Sequence, residues 1–157
     1  MPPWKKESRL PGAAAPRLRP VKPFRATIVA MAWSGVGAIL LALAVALGAF
    51  GAHALRTRLD AYSIGVYERA VFYHFIHALG LLIVPLFLRA DVLSESVASL
   101  ICWLLFAGIV IFCGSLYILA VSGVKALGAI TPIGGLLFIV AWSVLGFMLL
   151  RRYFILQ

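Results

Sequence analysis

Three histidines and two tyrosines stand inside or at the edge of long uncharged stretches of the chain, where a polar side chain is costly. They are His53, His74 and His77 with Tyr73 and Tyr117; Ser115 and Thr131 add two hydroxyls. Two imidazoles on different helices, such as His53 and His77, are the ligand pattern of a bis-histidine haem. His74 and His77, three residues apart, have a spacing compatible with a shared metal, although a three-histidine zinc site usually adds a carboxylate or thiolate. A simpler use of the same groups is to hydrogen-bond one another and lock helices together. The candidate ligand-binding set is therefore His53, Tyr73, His74, His77, Ser115 and Tyr117. Nothing in the chain has the form of a nucleotide-binding loop, a Ser/His/Asp arrangement or a pair of catalytic carboxylates. Glu68-Arg69, at the edge of its apolar stretch, has the composition of a step in a proton or ion path, but a solvated charge pair is the commoner use of such residues at an interface. No catalytic residue, metal or cofactor is assigned.

The elements that position these groups follow from composition. Of 157 residues, 64% are apolar and 12% charged, against about 45–50% and about 25% in soluble domains. Five acidic residues cannot solubilise that much apolar surface, so a water-soluble fold is excluded. Four uncharged stretches, at 26–55, 70–88, 96–124 and 126–150, are each long enough to cross a hydrocarbon core of about 30 Å. The expected fold is all-α, an integral membrane four-helix bundle. Its spans fall at about 28–52, 70–88, 97–121 and 130–150, within a membrane domain covering 26–157.

Residues 1–25 differ in kind. They hold seven basic residues against Glu7 alone and six of the eight prolines. Proline this dense prevents a continuous helix, so a disordered basic tail is expected, and the prolines also spoil a mitochondrial transit helix. Nothing accompanies the tail to suggest nucleic-acid binding; beside an apolar span, basic residues set topology. With four spans, the tail, Arg89, Arg151 and Arg152 share one side, and Arg56, Arg58, Arg69 and Lys125 the other. The excess puts both termini in the cytoplasm of a plasma (inner) membrane, or of a mitochondrial inner membrane in a eukaryote. Ala52-His53-Ala54 imitates a signal-peptide cleavage site, but the apolar run before it is far longer than such peptides carry, so the first span is expected to stay uncleaved.

Local patterns refine this outline. Leu55, Leu59, Tyr62 and Val66 recur at helical spacing among Arg56, Arg58 and Asp60, which predicts a short interfacial helix. Thr131-Pro132 predicts an N-cap and first helical residue, with 125–130 as a lead-in. On a helical projection of the second span, Ala70, Tyr73, His74, His77, Gly80 and Leu81 face one way. Phe72, Phe75, Ile76, Leu79, Leu82 and Ile83 face the other, toward lipid. Small residues are expected at helix contacts: Gly37, Ala44, Gly48 and Gly51 in the first span, and Ala107, Gly108, Gly114 and Ser115 in the third. In the fourth, Gly135, Trp142 and Gly146 cluster on one face. Cys102 and Cys113, eleven residues apart, stand about 16 Å apart along a helix, too far for a disulfide.

Three segments together resemble one family: Gly48-Ala-Phe-Gly-Ala-His-Ala-Leu55, Tyr67-Glu-Arg-Ala-Val-Phe-Tyr-His-Phe-Ile-His-Ala-Leu79, and Gly114-Ser-Leu-Tyr117 with Thr131-Pro-Ile-Gly-Gly135 and Trp142. The combination is similar to the membrane proteins of domain of unknown function 423 (uncharacterised protein family 0382), related to eukaryotic transmembrane protein 256. The resemblance spans roughly 30–150 and implies a multi-pass inner-membrane protein, usually bacterial, without a settled activity. It makes Gly48, Gly51, Gly114, Thr131, Pro132, Gly134 and Gly135 motif positions. His53 and His77 match the family pattern, whereas His74 stands where glutamine is commoner, and the long tail departs from the compact members. The functional expectation is a non-enzymatic structural or accessory membrane component, contacting lipid and a membrane-protein partner or a second copy. The alternative is a binder of haem, metal or a small ligand at the His/Tyr cluster; a third reading is a small-solute or ion carrier, for which no internal repeat speaks.

Overall fold

An uncharged stretch in hydrocarbon has no water to satisfy its backbone, so it must close its own hydrogen bonds as a helix. The computed structural model describes residues 24–157, and the basic tail, apart from Phe24 and Arg25, lies outside the described residues. Four apolar helical spans run Phe24–Leu55, Ala61–Arg89, Glu95–Ser122 and Lys125–Ile155. The fold is all-α, and the described residues contain no strand.

Helix α1 (Phe24–Phe50) ends in a π-helical turn, Gly51–Leu55. After a five-residue connection comes α2 (Ala61–Arg89). The third span is α3 (Glu95–Gly108), a second π turn (Ile109–Cys113) and α4 (Gly114–Ser122). A 3-10 segment, Lys125–Ala129, leads into α5 (Thr131–Ile155). Connections this short make successive spans antiparallel. Both chain ends of the membrane domain therefore lie at one end of the bundle, where Arg25 of α1 pairs with Glu95 of α3 at 2.9 Å.

Polar residues set the boundaries. Asp60 caps α2 by accepting from the Ser63 N–H at 2.7 Å, and this bond to the charged carboxylate holds its pKa below the ordinary aspartate range. Ser94 caps α3 through the Val97 N–H, with Glu95 in the first turn where the helix dipole favours an acid. Gly123 ends α4 at φ 71°, a left-handed conformation that glycine adopts without steric cost.

The second and third spans form the middle of the bundle, with 44% and 39% of their apolar windows buried, against 17% and 22% for the first and fourth. α1 lies along α2, and α5 along the third span. The inward face of α1 is Ala26, Ala30, Gly37, Ala44 and Gly51, the last four at a strict seven-residue repeat. Small residues at this period let two helices approach along a left-handed seam. A Cβ on Gly37 would stand 3.1 Å from the Ala78 carbonyl oxygen of α2.

Four expectations are corrected. The interfacial helix at 55–66 does not form: Asp60 starts α2, so Tyr62 and Val66 belong to a second span longer than expected. The first span likewise begins at Phe24 rather than near 28, which places Arg25 inside a helix. Thr131 is not an N-cap; Ile130 holds that place, and the Thr131 hydroxyl bonds elsewhere. On α5 the buried face is Gly134, Phe138, Ala141 and Leu145, one residue round from the face of Gly135, Trp142 and Gly146. Trp142 is exposed, and no atom lies within 4 Å of where a Gly146 Cβ would be.

Candidate functional site

The inward face of α2 carries the polar core. Of the face that the helical projection turns inward, Ala70, His74, His77, Gly80 and Leu81 are buried and Tyr73 is half-buried; of the opposite face, Phe72, Ile76, Leu79 and Ile83 are exposed and Phe75 and Leu82 half-buried, and Tyr67 joins the buried side. The face divides into two groups of contacts.

The first group joins the two motif segments nearest the first connection. Tyr67 donates its hydroxyl proton to the Leu47 carbonyl of α1 at 2.9 Å. Its ring lies directly over Gly51, where a Cβ would come within 2.6 Å of Tyr67 Cε1. Glycine at 51 and tyrosine at 67 are thus one steric solution, at the place where α1 changes from α to π winding. The Tyr67 ring meets Tyr117 edge-on at 5.0 Å, and the Tyr117 hydroxyl lies 3.3 Å from His74 Nδ1. His74 Nε2 is buried and has no hydrogen-bond partner among the described residues. Replacing Tyr67 with phenylalanine keeps the ring and removes only the bond to Leu47. Stability should fall by about 0.5–1.5 kcal/mol, measured as thermal unfolding in detergent, while Tyr62→Phe, an exposed site on the same helix, should leave it unchanged.

The second group lies deeper. His77 Nδ1 is 2.6 Å from the Tyr73 carbonyl oxygen; a carbonyl only accepts, so this nitrogen carries the proton and Nε2 is the free lone pair. The imidazole stacks on Phe138 of α5 with centroids 3.4 Å apart and planes at 15°. Tyr73 packs on Phe112 at 4.7 Å. These rings border a groove of about 440 Å³ whose other wall is Gly135, Ile139, Trp142 and Ser143.

A hydroxyl clamp ties the ends of the third and fourth spans. Ser115 donates to the Phe112 carbonyl at 3.0 Å and lies 2.8 Å from the Thr131 hydroxyl. Thr131 in turn lies 3.3 Å from the Leu127 carbonyl, so each hydroxyl has a backbone acceptor on its own span and either one can turn its proton across the interface. Just beyond it Gly134 packs on the backbone of the second π turn, a Cβ there falling 2.8 Å from Phe112 Cα.

The structure therefore pairs His74 with Tyr117, His77 with Tyr73, and Ser115 with Thr131. His53 is not brought to them: it sits exposed in the first π turn, with no hydrogen bond or ring contact to any described residue. The described residues contain no group of three His, Cys, Asp or Glu arranged to hold a metal. Gly48 and Gly135 make only ordinary contacts, and Gly114 faces open space; Pro132 lies exposed in the first turn of α5. Cys102 and Cys113 are free and buried. Tyr67, Phe112 and Phe138 pack in the core, and sequence reasoning left them out, whereas Gly108 was among the expected helix contacts. Tyr67 stands seven residues before His74 and so on the same helical face, which extending the projection by two turns would have found. Phe138 has no such signal, because its partner is on another helix.

The motif segments thus meet in space: Gly51 against Tyr67, Tyr117 against His74, Thr131 against Ser115. Residues 47–135, which contain all of these contacts, match the family model described as protein of unknown function (DUF423). Among curated relatives, a UPF0382 membrane protein of Staphylococcus epidermidis is 47% identical over 110 residues, covering 70% of this chain and 88% of that one. The UPF0382 membrane protein YwdK of Bacillus subtilis is 49% identical over 107 residues, covering 68% and 86%. No solved structure matches the chain significantly. Shared sequence over most of the bundle, on a framework of four apolar spans, makes the chain a member of the DUF423 (UPF0382) family of membrane proteins.

Proposed function

We propose that this membrane protein is a non-enzymatic accessory component of the bacterial cytoplasmic membrane, with both termini on the cytoplasmic side. The observation that carries this reading is the use made of the buried polar groups. Tyr67, His77 and Ser115 each spend a proton on a backbone carbonyl of the same chain, at 2.9, 2.6 and 3.0 Å. The Tyr67 bond crosses from α2 to α1 and fixes their register in lipid, while those of His77 and Ser115 hold each side chain against its own helix, so these protons are engaged structurally. The orientation rests on ten basic residues at the end shared by the termini against four at the other.

An accessory role expects company. Extraction in mild detergent, followed by size-exclusion with light scattering and affinity capture, should recover a stoichiometric partner or a homo-oligomer. A strictly monomeric species with no partner overturns the proposal. Cysteine labels placed at residue 157 and at 57 should react from the cytoplasmic and external sides respectively. The ligand-binding reading is favoured by one atom, the buried and unpartnered Nε2 of His74. An absorption spectrum and metal analysis of the purified protein test it: a Soret band or bound metal supports it, and neither removes haem and metal.

A further inference from the structure

Outside the two buried groups, the end of α1, its π turn and the first half of α2 line a groove of about 320 Å³ beside the first connection, a size typical of small-ligand pockets. Its floor is small, Gly48, Gly51 and Ala52, and one wall is Val71, Phe72 and Phe75. Gly48 keeps the floor low: a Cβ there would already touch Val71 Cγ1 at 3.4 Å. At the mouth stand Arg56 and Glu68, on opposite sides of the connection and both exposed. Neither forms an ion pair or a hydrogen bond with any described residue, although they border one groove.

An apolar slot ending in one cation and one anion is complementary to an amphiphile with apolar tails and a headgroup of both signs. We propose that this groove binds a phospholipid whose headgroup carries a phosphate and a primary amine, of the phosphatidylethanolamine class. The Arg56 guanidinium takes the phosphate, its fork matching two phosphate oxygens. Glu68 accepts from the primary ammonium. An acyl chain lies along Gly48 and Ala52 against Val71 and Phe72, beside the Tyr67 ring that covers Gly51. A headgroup with phosphate alone satisfies Arg56 but sets its negative charge beside Glu68. A choline headgroup has no N–H to donate.

The test is native mass spectrometry of the full chain, released from nanodiscs holding equal amounts of ethanolamine, glycerol and choline phospholipids with identical acyl chains. The wild type should retain the ethanolamine lipid several-fold over either other. Glu68→Gln should erase its advantage over the glycerol lipid, Arg56→Gln should reduce all three, and Gly48→Leu should expel bound lipid whatever its headgroup. Gly35→Leu, at a site with no atom within 4 Å of its Cβ position, should change nothing. Equal retention of the three lipids by the wild type overturns the proposal, as does an unchanged preference in Glu68→Gln. Both charge variants alter exposed side chains, so the proposal stands or falls on them even where Gly48→Leu fails to fold.

Discussion

Replacing Gly134 with alanine will destabilise the bundle more than alanine at any of its other fourth-span glycines. The added Cβ falls 2.8 Å from both Cα and Cβ of Phe112 and closer still to its backbone nitrogen. A side-chain tip could swing aside, but the nitrogen and Cα are main-chain atoms of the second π turn and Cβ is fixed to them, and that turn is held by the Ser115 bond to the Phe112 carbonyl. The two spans must therefore separate at the point where they are clamped by Ser115 and Thr131. Overpacking of this kind costs about 1–3 kcal/mol, sometimes more, to be read as a fall in the thermal unfolding midpoint in detergent. Gly146→Ala is the internal control. Its Cβ meets nothing within 4 Å, and glycine in a helix interior is about 0.5–1 kcal/mol worse than alanine, so this variant should be neutral or more stable. Equal losses in the two would show that the close approach at Gly134 is not tight.

The same pair of glycines shows where sequence patterns fail in a membrane. In water, an apolar face marks the core; in lipid, the outside is equally apolar, and only small or polar residues indicate what faces inward. The second span was legible because its imidazoles and phenols had to avoid hydrocarbon, and the first because Gly37, Ala44 and Gly51 repeat at seven. The fourth has glycines at both 134 and 135, and its one mid-span hydroxyl, Ser143, is exposed rather than buried, so it does not mark the inward face; the choice fell one residue off. The π turns had no signature. They change the winding over Gly51–Leu55 and Ile109–Cys113 without a proline or a carboxylate, yet both sit where another helix presses close, under Tyr67 and against Gly134. Asp60 was legible as a polar residue but not as a cap, because the arginines around it made the segment resemble a surface helix. Tyr117 beside His74 was foreseeable from depth alone, since antiparallel spans put the end of the third level with the start of the second. His53, at the same level, turned outward because Gly51 rather than His53 holds the inward position in the π turn.

The histidine group makes the strongest case for non-additive behaviour. Gly108 of α3 lies under the Phe138 ring, where a Cβ would stand 2.5 Å from Cε1 and 2.6 Å from Cδ1. Phe138 has little room to retreat, because its ring is also stacked on His77 at 3.4 Å, and His77 is pinned to the Tyr73 carbonyl. Gly108→Ala should therefore cost about 1–3 kcal/mol, the strain passing through the ring into the imidazole. Phe138→Leu alone loses the stacked contact and costs on the order of 1 kcal/mol or more. Combined, the smaller leucine makes room for the alanine methyl, so the double variant should be more stable than the sum of the two losses predicts. A coupling of about 0.5–3 kcal/mol is expected for residues in direct contact, and additivity would mean that α3 and α5 adjust independently. Because the Phe138 ring meets both Gly108 and His77, relief by leucine also tests whether the imidazole is held by packing. If it is, the His77 ring resonances should shift in Gly108→Ala and move back toward the wild-type positions in the double variant.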